Sequence, residues 1–554
     1  MAVFGEETVK IPMQFGLDPV GIPVSEKSFN ILTNLIRTED NSLAIREDFL
    51  MLMDVAKTPR VLPVTTGIVP KNTSERDMEV FTATGSASVN TPSLLMCFDD
   101  GTTRDVNWVN YNNVPTPQIT TQTIATARGI KAFCQYKDRY YASNVTDTIF
   151  RVSNFTTAGG ALTITDLVAI AGVNILISFK NRIFGIFKNR IYYTDLPAIG
   201  GYPETWSSSL NFVDMPTSDL DLTIYNALVY KDRMYLFTDR GVYYFSANGA
   251  PINWSIQLVS PDYPIYHRDS VCLNKGFIFL TNQVRVFAFN GVTFKDVTGS
   301  LTGLYRLWGS TGATIVKLYP YDNGIIAESI SYGIITNYTR AGSRIFYFDL
   351  VGWTELDLNS GTFITAGGTN FQGEILRAGI NLQPYKSKLG SSYIAYKNSN
   401  TSHRAIYLDK NRFLGDAWNT SHVDNVRTSK KFSFSSPSPF VANKKNVRFK
   451  YWSIFGYFND TAQKMNIGAE DMYGQISTPV PTSKFAAYSQ YIKGAVLDDQ
   501  GLFNAPFKHN VTSLYVFGEA LTEPSSASSP SIIFEKLEAV VNSDNKDKDQ
   551  MSNA

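Results

Sequence analysis

A two-residue turn that keeps returning at a nearly fixed interval constrains this 554-residue chain more than any other feature. The stretch FKNRIFGIFKNRIYYTD, residues 179 to 195, carries Phe-Lys-Asn-Arg twice, at 179 to 182 and at 187 to 190. Each copy is followed by alternating large apolar residues, the pattern of consecutive antiparallel strands joined by tight turns. Related stretches are YKDRYYASN at 136 to 144, YKDRMYLFTDRGVYYFS at 230 to 246 and LNKGFIFLTNQVRVFAFN at 273 to 290. Looser copies follow as YDNGIIAESISYGIITNYT at 321 to 339 and FQGEILRAG at 371 to 379. The residues that close these turns are Arg139, Arg182, Arg233, Gly276, Gly324 and Gly373, separated by 43, 51, 43, 48 and 49 positions.

A period of roughly 40 to 50 residues built from short strands predicts a β-propeller with one four-stranded blade per repeat. Lys-Asp, Lys-Asn and Asn323-Gly324 suit the backbone angles of a hairpin turn, and the Ile, Phe, Tyr and Val beside them suit a pleated, buried surface. The doubled FKNR then marks two successive turns of one blade. With NTPSLLMCFDDGTTRDVNWVN, 90 to 110, as an earlier copy, the count reaches about seven blades. The expected layout is all-β: an N-terminal platform segment at 1-84, the propeller at 85-425, a C-terminal β-sandwich-like module at 426-541 and a disordered tail at 542-554. The N-terminal segment shows little strand rhythm, whereas KKNVRFKYWSIFGYFN at 444 to 459 and SIIFEKLEAVV at 531 to 541 alternate again.

Lys plus Arg is 50 against Asp plus Glu 49, so there is no basic excess of the kind that grips nucleic-acid phosphates. Cys97, Cys134 and Cys272 are odd in number and far apart; they read as buried thiols, neither a disulfide framework nor paired zinc ligands. The opening MAVFGEETVKIPM lacks the basic and apolar regions of a signal peptide. LVAIAGVNILISF, the longest apolar run, is too short to span a bilayer. These features predict folding in a reducing cytoplasm and no membrane span.

Catalytic constellations are wanting in the sequence. It has no phosphate loop, HExxH, GxSxG or EF-hand pattern, and His267, His403, His422 and His509 are scattered, so they read as structural. Two acidic spots, DDGTTRDVNW at 99 to 108 and the group Asp214, Asp219 and Asp221, have the carboxylates for calcium, but an Asp in a hairpin turn is the commoner arrangement. A rival carbohydrate-cleaving propeller would rely on facing carboxylates, for which Asp99, Asp100, Asp219 and Asp221 are the candidates. The turn lysines and arginines suggest a basic rim, yet Asp138, Asp232 and Asp239 sit in the same turns, which favours a solvated face. No catalytic residue, metal ligand or cofactor is assigned.

Several stretches, in order, resemble the tail nozzle proteins of short-tailed bacteriophages, also called tail tubular protein B or tail stabilisation proteins. IPMQFGLDPVGIPVSEKSFNILTNLIRTEDNSLAIREDF, 11 to 49, is similar to the family's opening at Gly16, Leu17, Asp18, Pro23, Asn30, Arg46 and Phe49. RIYYTDLPAIGGYPETWSSSLNFVDMP, 190 to 216, resembles a family blade whose Tyr-Tyr-Thr-Asp strand leads through a Pro-Glu-Trp loop. DRMYLFTDRGVYYFSANGAPINWSIQLVS, NKGFIFLTNQVRVFAFNGVTFKDVT and SKKFSFSSPSPFVANKKNVRFKYWSIFGYFN continue the family's order, so the likeness runs from about residue 10 to 540. Asn41-Ser42 stand where many relatives have Gly, and the chain has little room for the extra domains of longer relatives.

The resemblance implies a virion structural protein, six copies forming a tube below the portal and adaptor ring. It implies fibres or spikes docked on the tube, and passing, non-specific contact with double-stranded DNA. Gly16, Leu17, Asp18, Asn30, Arg46 and Phe49 would belong to the platform facing the adaptor. A near-neutral wall suits a conduit through which a duplex must slide.

Overall fold

The computed structural model describes residues 163–207, 211–216, 221–282 and 285–299 continuously. Elsewhere, between residues 6 and 543, it describes the strands and short flanking stretches. Among the described residues there are seven four-stranded antiparallel units, five as separate sheets and two inside larger ones. Blade 1 is Met78–Thr82, Pro92–Asp99, Arg104–Asn110 and Gln118–Ile124. Blade 2 is Ile130–Tyr136, Arg139–Asn144, Thr148–Ser153 and Thr163–Ala169. Blade 3 is Ile175–Phe179, Arg182–Phe187, Arg190–Tyr193 and Phe212–Asp214. Blade 4 is Ile224–Tyr230, Arg233–Thr238, Gly241–Ser246 and Ser255–Ser260. Blade 5 is Val271–Asn274, Phe277–Asn282, Arg285–Phe289 and Phe294–Asp296. Blade 6 is Thr314–Tyr321, Gly324–Ser331, Ser343–Phe348 and Trp353–Glu355. From blade 2 to blade 7 the first strand of each unit lies beside the first strand of the next, which arranges the sheets radially as a β-propeller.

Blade 7 is completed from the other end of the chain. Glu374–Ala378, Tyr393–Ser399 and Ser402–Asp409 supply three strands, and the fourth is Asp48–Val55, antiparallel to Ser402–Asp409 with Leu408 opposite Phe49. The N-terminal segment therefore completes blade 7, and the strands of blade 1 begin further along the chain at Met78. Glu374–Ala378 is the first strand of its blade, so the last sequence repeat is one strand out of phase with the others.

The core lies between blades. Ile186, Phe184 and Ile191 of blade 3 pack with Met234, Leu236 and Phe245 of blade 4, while Phe237 and Val242 of blade 4 pack with Ile278, Leu280 and Phe289 of blade 5. Both faces of these strands are buried, which is why RIFGIF and RMYLFT read as nearly continuous apolar runs. Burying several such side chains per blade, at about 1.5–3 kcal/mol each, is the main force holding the ring. Cys134 and Cys272 are buried free thiols within it; burial pushes the Cys272 thiol up.

Asp416–Ala417, parallel to Asp48–Val55, and Arg427–Thr428 extend the sheet of blade 7, and the remaining strands form two further extensions. Leu32–Thr33 pairs in parallel with the outer strand of blade 6 and antiparallel with Lys430–Ser435, and the sheet continues through Val511–Ala520 to Lys464–Asp471. A second sheet joins Glu6–Ile11, Leu35–Arg37 and Leu43–Ile45 to Val447–Phe458, Ile492–Leu497 and Ile532–Ser543. Ile532–Ser543 runs two residues into the stretch expected to be a disordered tail; residues 544 to 554 lie outside the described residues. Among the described residues no helix is long and apolar enough to cross a membrane.

Candidate functional site

The recurring turn is a device for fastening one blade to the next. Its first central residue is a lysine with positive φ, 53° at Lys137, 48° at Lys180, 47° at Lys231 and 47° at Lys275. Asn181 and Asp232 follow at 58° and 61°, the double left-handed conformation of a type I′ hairpin. Each turn then reaches forward. Tyr136 Oη lies 3.4 Å from Asn181 Oδ1, and Lys180 Nζ lies 2.5 Å from Asp232 Oδ2. Tyr230 Oη donates to the Gly276 carbonyl at 2.5 Å, and Asn274 Nδ2 to the Gly324 carbonyl at 2.5 Å. Blades 2 to 6 are thus linked turn to turn along one face.

In blades 3, 4 and 5 the loop between the third and fourth strands folds back onto the preceding blade. In blade 3 this is the Pro-Glu-Trp loop: Glu204 accepts from Arg139 at 2.6 Å, Tyr141 at 2.8 Å and Arg151 at 2.7 Å, all from blade 2. Tyr202 lies under the Arg139 guanidinium at 3.4 Å. Burial disfavours the Arg139 charge, but the hydrogen bond and charge of Glu204 outweigh it and hold its pKa above the ordinary value. Burial, with Glu204 second, drives the Tyr141 hydroxyl far up. Blade 4 repeats the arrangement with Trp254, whose ring packs at 4.6 Å from Tyr193 and receives Arg182 at 5.4 Å. Blade 5 repeats it with Asn290, whose carbonyl takes Lys231 Nζ at 2.9 Å. Lys137, Arg139, Lys180, Arg182 and Lys231 of the basic rim reach the next blade, whereas Arg190 and Arg285 pair within their own.

A second polar constellation sits where the N-terminal segment meets blade 6 and the C-terminal sheets. Leu35–Arg37 and Leu43–Ile45 form a hairpin whose turn is closed by Thr38 and Ser42, their hydroxyls 2.6 Å apart. Arg46 Nε donates to Asn34 Oδ1 and Nη1 to the Glu47 carbonyl, both at 2.9 Å, with the guanidinium 4.6 Å over the Phe49 ring. Lys430 Nζ donates to the Arg46 carbonyl and to Asp48 Oδ1, both at 2.6 Å. A cavity of about 50 Å³ beside them is lined by Ile36, Arg46, Glu47, Phe49, Tyr321, Tyr347 and Leu356, room for water but not for a substrate.

Arg46 and Phe49 are almost wholly buried, and the Arg46 guanidinium is held by Asn34 and Glu47 at the junction of the N-terminal segment with blade 6 and the C-terminal sheets. Gly16, Leu17, Asp18, Pro23 and Asn30 lie outside the described residues.

The acidic spots separate in the same way. Asp214 is held bidentately by Arg190, Nε to Oδ1 at 2.6 Å and Nη2 to Oδ2 at 2.9 Å, and that bond raises the arginine's pKa. Asp99 stands opposite Arg104 at the end of a hairpin, while Asp100 and Asp219 lie outside the described residues. His267 caps a short turn by accepting from the Asp269 amide, and His403 lies in a blade 7 strand. His422 and His509 lie outside. Among the described residues no group of three His, Cys, Asp or Glu gathers to hold a metal.

No family model matches the chain, and no curated protein matches it. Similar solved structures include the N-terminal domain of Nup159, at 8% identity and a TM-score of 0.36, covering 68% of this chain and 99% of that one. The WD40 domain of Pan2 from Neurospora crassa has 11% identity and a TM-score of 0.37, over 66% and 96%. YCF48 bound to a D1 peptide has 9% identity and a TM-score of 0.33, over 60% and 95%. The chain is a β-propeller by its own sheet order.

The closing strand Asp48–Val55 and the Lys430 anchor escaped the sequence reading. The one local signal was DFLMLMDV, an apolar run in a segment otherwise without strand rhythm.

Proposed function

We propose that the chain is a structural protein of a short-tailed phage virion, a tail nozzle subunit, several copies of which form the tube below the portal and adaptor through which the genome leaves. The observation that carries the reading is the ordered series of family-like stretches from about residue 10 to 540. The architecture supports it. The N-terminal segment and the C-terminal sheets are built into the propeller by a sheet shared with blade 6 and by the fourth strand of blade 7, so one folded body can present all three to its neighbours. Near-equal counts of basic and acidic residues favour DNA passage over DNA retention. The protomer works as a structural element without chemistry of its own, its partners being further copies, the adaptor ring and fibres or spikes, with its place in the virion tail.

Electron microscopy of the purified protein, alone and mixed with portal and adaptor rings of the same virus, tests this. The expected result is a six-fold tube capping the adaptor. Single propellers that ignore the adaptor would remove the reading and direct attention to glycan cleavage.

A further inference from the structure

Apolar residues stand exposed at the tips of the third-to-fourth-strand loops in four successive blades. Ile199 of blade 3 is 109% exposed, Ile252 of blade 4 is 91% and Val292 of blade 5 is 82%; Leu350 and Val351 of blade 6 are 39% and 49%. In a four-stranded antiparallel blade this loop leaves the sheet at the same end as the first turn, so all of these tips lie along the one face that carries the interlocked turns.

The tips are held stiffly. Ile199 occupies a turn closed by Gly201 N to the Ala198 carbonyl at 2.8 Å, with Gly200 at φ +81°. Ile252 sits inside the short helical turn Pro251–Asn253. Asn290 Oδ1 accepts from the amides of Val292 and Thr293, both at 2.8 Å, and Asp349 Oδ1 accepts from Val351 and Gly352 at 2.9 and 2.8 Å. Blades 5 and 6 therefore build one turn twice, but where blade 5 has Gly291 at φ +96°, blade 6 has Leu350 at φ +75°. A bulky side chain in that conformation is strained, and glycine would relieve it. Strain and exposed aliphatic surface at one position both go against the stability of an isolated protomer.

We propose that this arc of apolar tips is a contact surface between copies of the chain, covered in the assembled tube by a different surface of the neighbouring copy. This rests on the nozzle reading and names the face that assembles it. At roughly 150 Å² per fully exposed aliphatic side chain, the tips present on the order of 500 Å², approaching the 800 Å² or so that each partner contributes to a stable interface. An arc spanning four blades matches a folded surface better than a single extended peptide. In a closed ring the contact is heterologous, one patch meeting another, so the tips need no symmetry mate of their own.

Sedimentation velocity and electron microscopy on full-length protein, alone and with portal and adaptor rings, test the proposal. The combined variant Ile199→Asp, Ile252→Asp, Val292→Asp and Val351→Asp is expected to melt like wild type yet associate at least about tenfold more weakly. Leu350→Gly is expected to raise the protomer's melting temperature while weakening association, a pairing that damage to the fold does not produce. If wild type caps the adaptor and the combined variant does so equally well, the arc is not the contact and the nozzle reading stands. If the variant forms rings that no longer sit on the adaptor, the arc belongs to the adaptor and the copy-to-copy assignment is overturned. If wild type assembles under neither condition, the nozzle reading falls and the arc proposal falls with it.

Discussion

Lys430 Nζ lies 2.6 Å from Asp48 Oδ1, and both side chains are fully buried, so one ion pair ties the fourth strand of blade 7 to Lys430–Ser435 of the C-terminal sheets. Two charges in such a place need each other. Lys430→Met is expected to lower stability by about 3–5 kcal/mol, since it strands a buried carboxylate. Asp48→Asn together with Lys430→Met is expected to cost clearly less than the two single changes added. Urea unfolding of the three variants measures this coupling; additive losses would show that the pair is not a unit.

Glu204 holds the blade 3 loop over blade 2 through three donors. Its replacement by Ala removes the shared acceptor from Arg139, Arg151 and Tyr141, with an expected loss of about 2–3 kcal/mol. Because Trp206 is in the same loop, bridged to Thr194, its fluorescence should shift toward that of an exposed indole below the global unfolding midpoint. A tryptophan signal that changes only with global unfolding would mean the loop is held by its apolar contacts alone.

Two glycines at equivalent turns separate a steric demand from a conformational one. A Cβ on Gly324 would lie 1.7 Å from the Phe348 carbonyl oxygen, a clash with backbone that only a shift of the hairpin relieves. A Cβ on Gly276 meets nothing within 4 Å and faces only its φ of +77°. Gly324→Ala is expected to cost more than about 3 kcal/mol and Gly276→Ala about 1 kcal/mol. Thermal melts of the two variants decide the order.

Stability is expected to fall as the pH rises above about 9. Burial keeps the Cys272 thiol protonated in the folded state, whereas its ordinary value of 9.0 applies once the chain unfolds. The unfolded state then binds fewer protons than the folded one, so the slope of stability with pH is negative, up to about 1.4 kcal/mol per pH unit for one group. Tyr141, also driven up by burial, adds to the decline above its ordinary value of 10.0. Cys272→Ala should flatten the curve near pH 9 to 10 in denaturant titrations, and an unchanged slope would assign it to other groups.

The blades were legible because their information is local. Tyr230-Lys231-Asp232-Arg233 specifies a hairpin within a few residues, and the left-handed angles at Lys231 and Asp232 are those such a turn demands. NTPSLLMCFDDGTTRDVNWVN likewise forms the second and third strands of blade 1. The reading slipped at Gly373, where FQGEILRAG has the texture of the other turns but opens a first strand, because strand texture does not record position within a blade.

By itself the sequence determined the repeating unit: turn chemistry, alternation and spacing are short-range properties, and they set the four-stranded blade and the approximate count. Only the tertiary structure decided how blade 7 is completed. Asp48–Val55 becomes a strand by pairing with Ser402–Asp409, and Leu32–Thr33 by lying between Trp353–Glu355 and Lys430–Ser435. No local pattern selects those partners, because the hydrogen bonds and the buried Lys430–Asp48 charges that reward the pairing arise only when segments more than 300 residues apart are brought together. For the same reason the burial of Arg46 and Phe49 at this joint is not legible from the sequence around them.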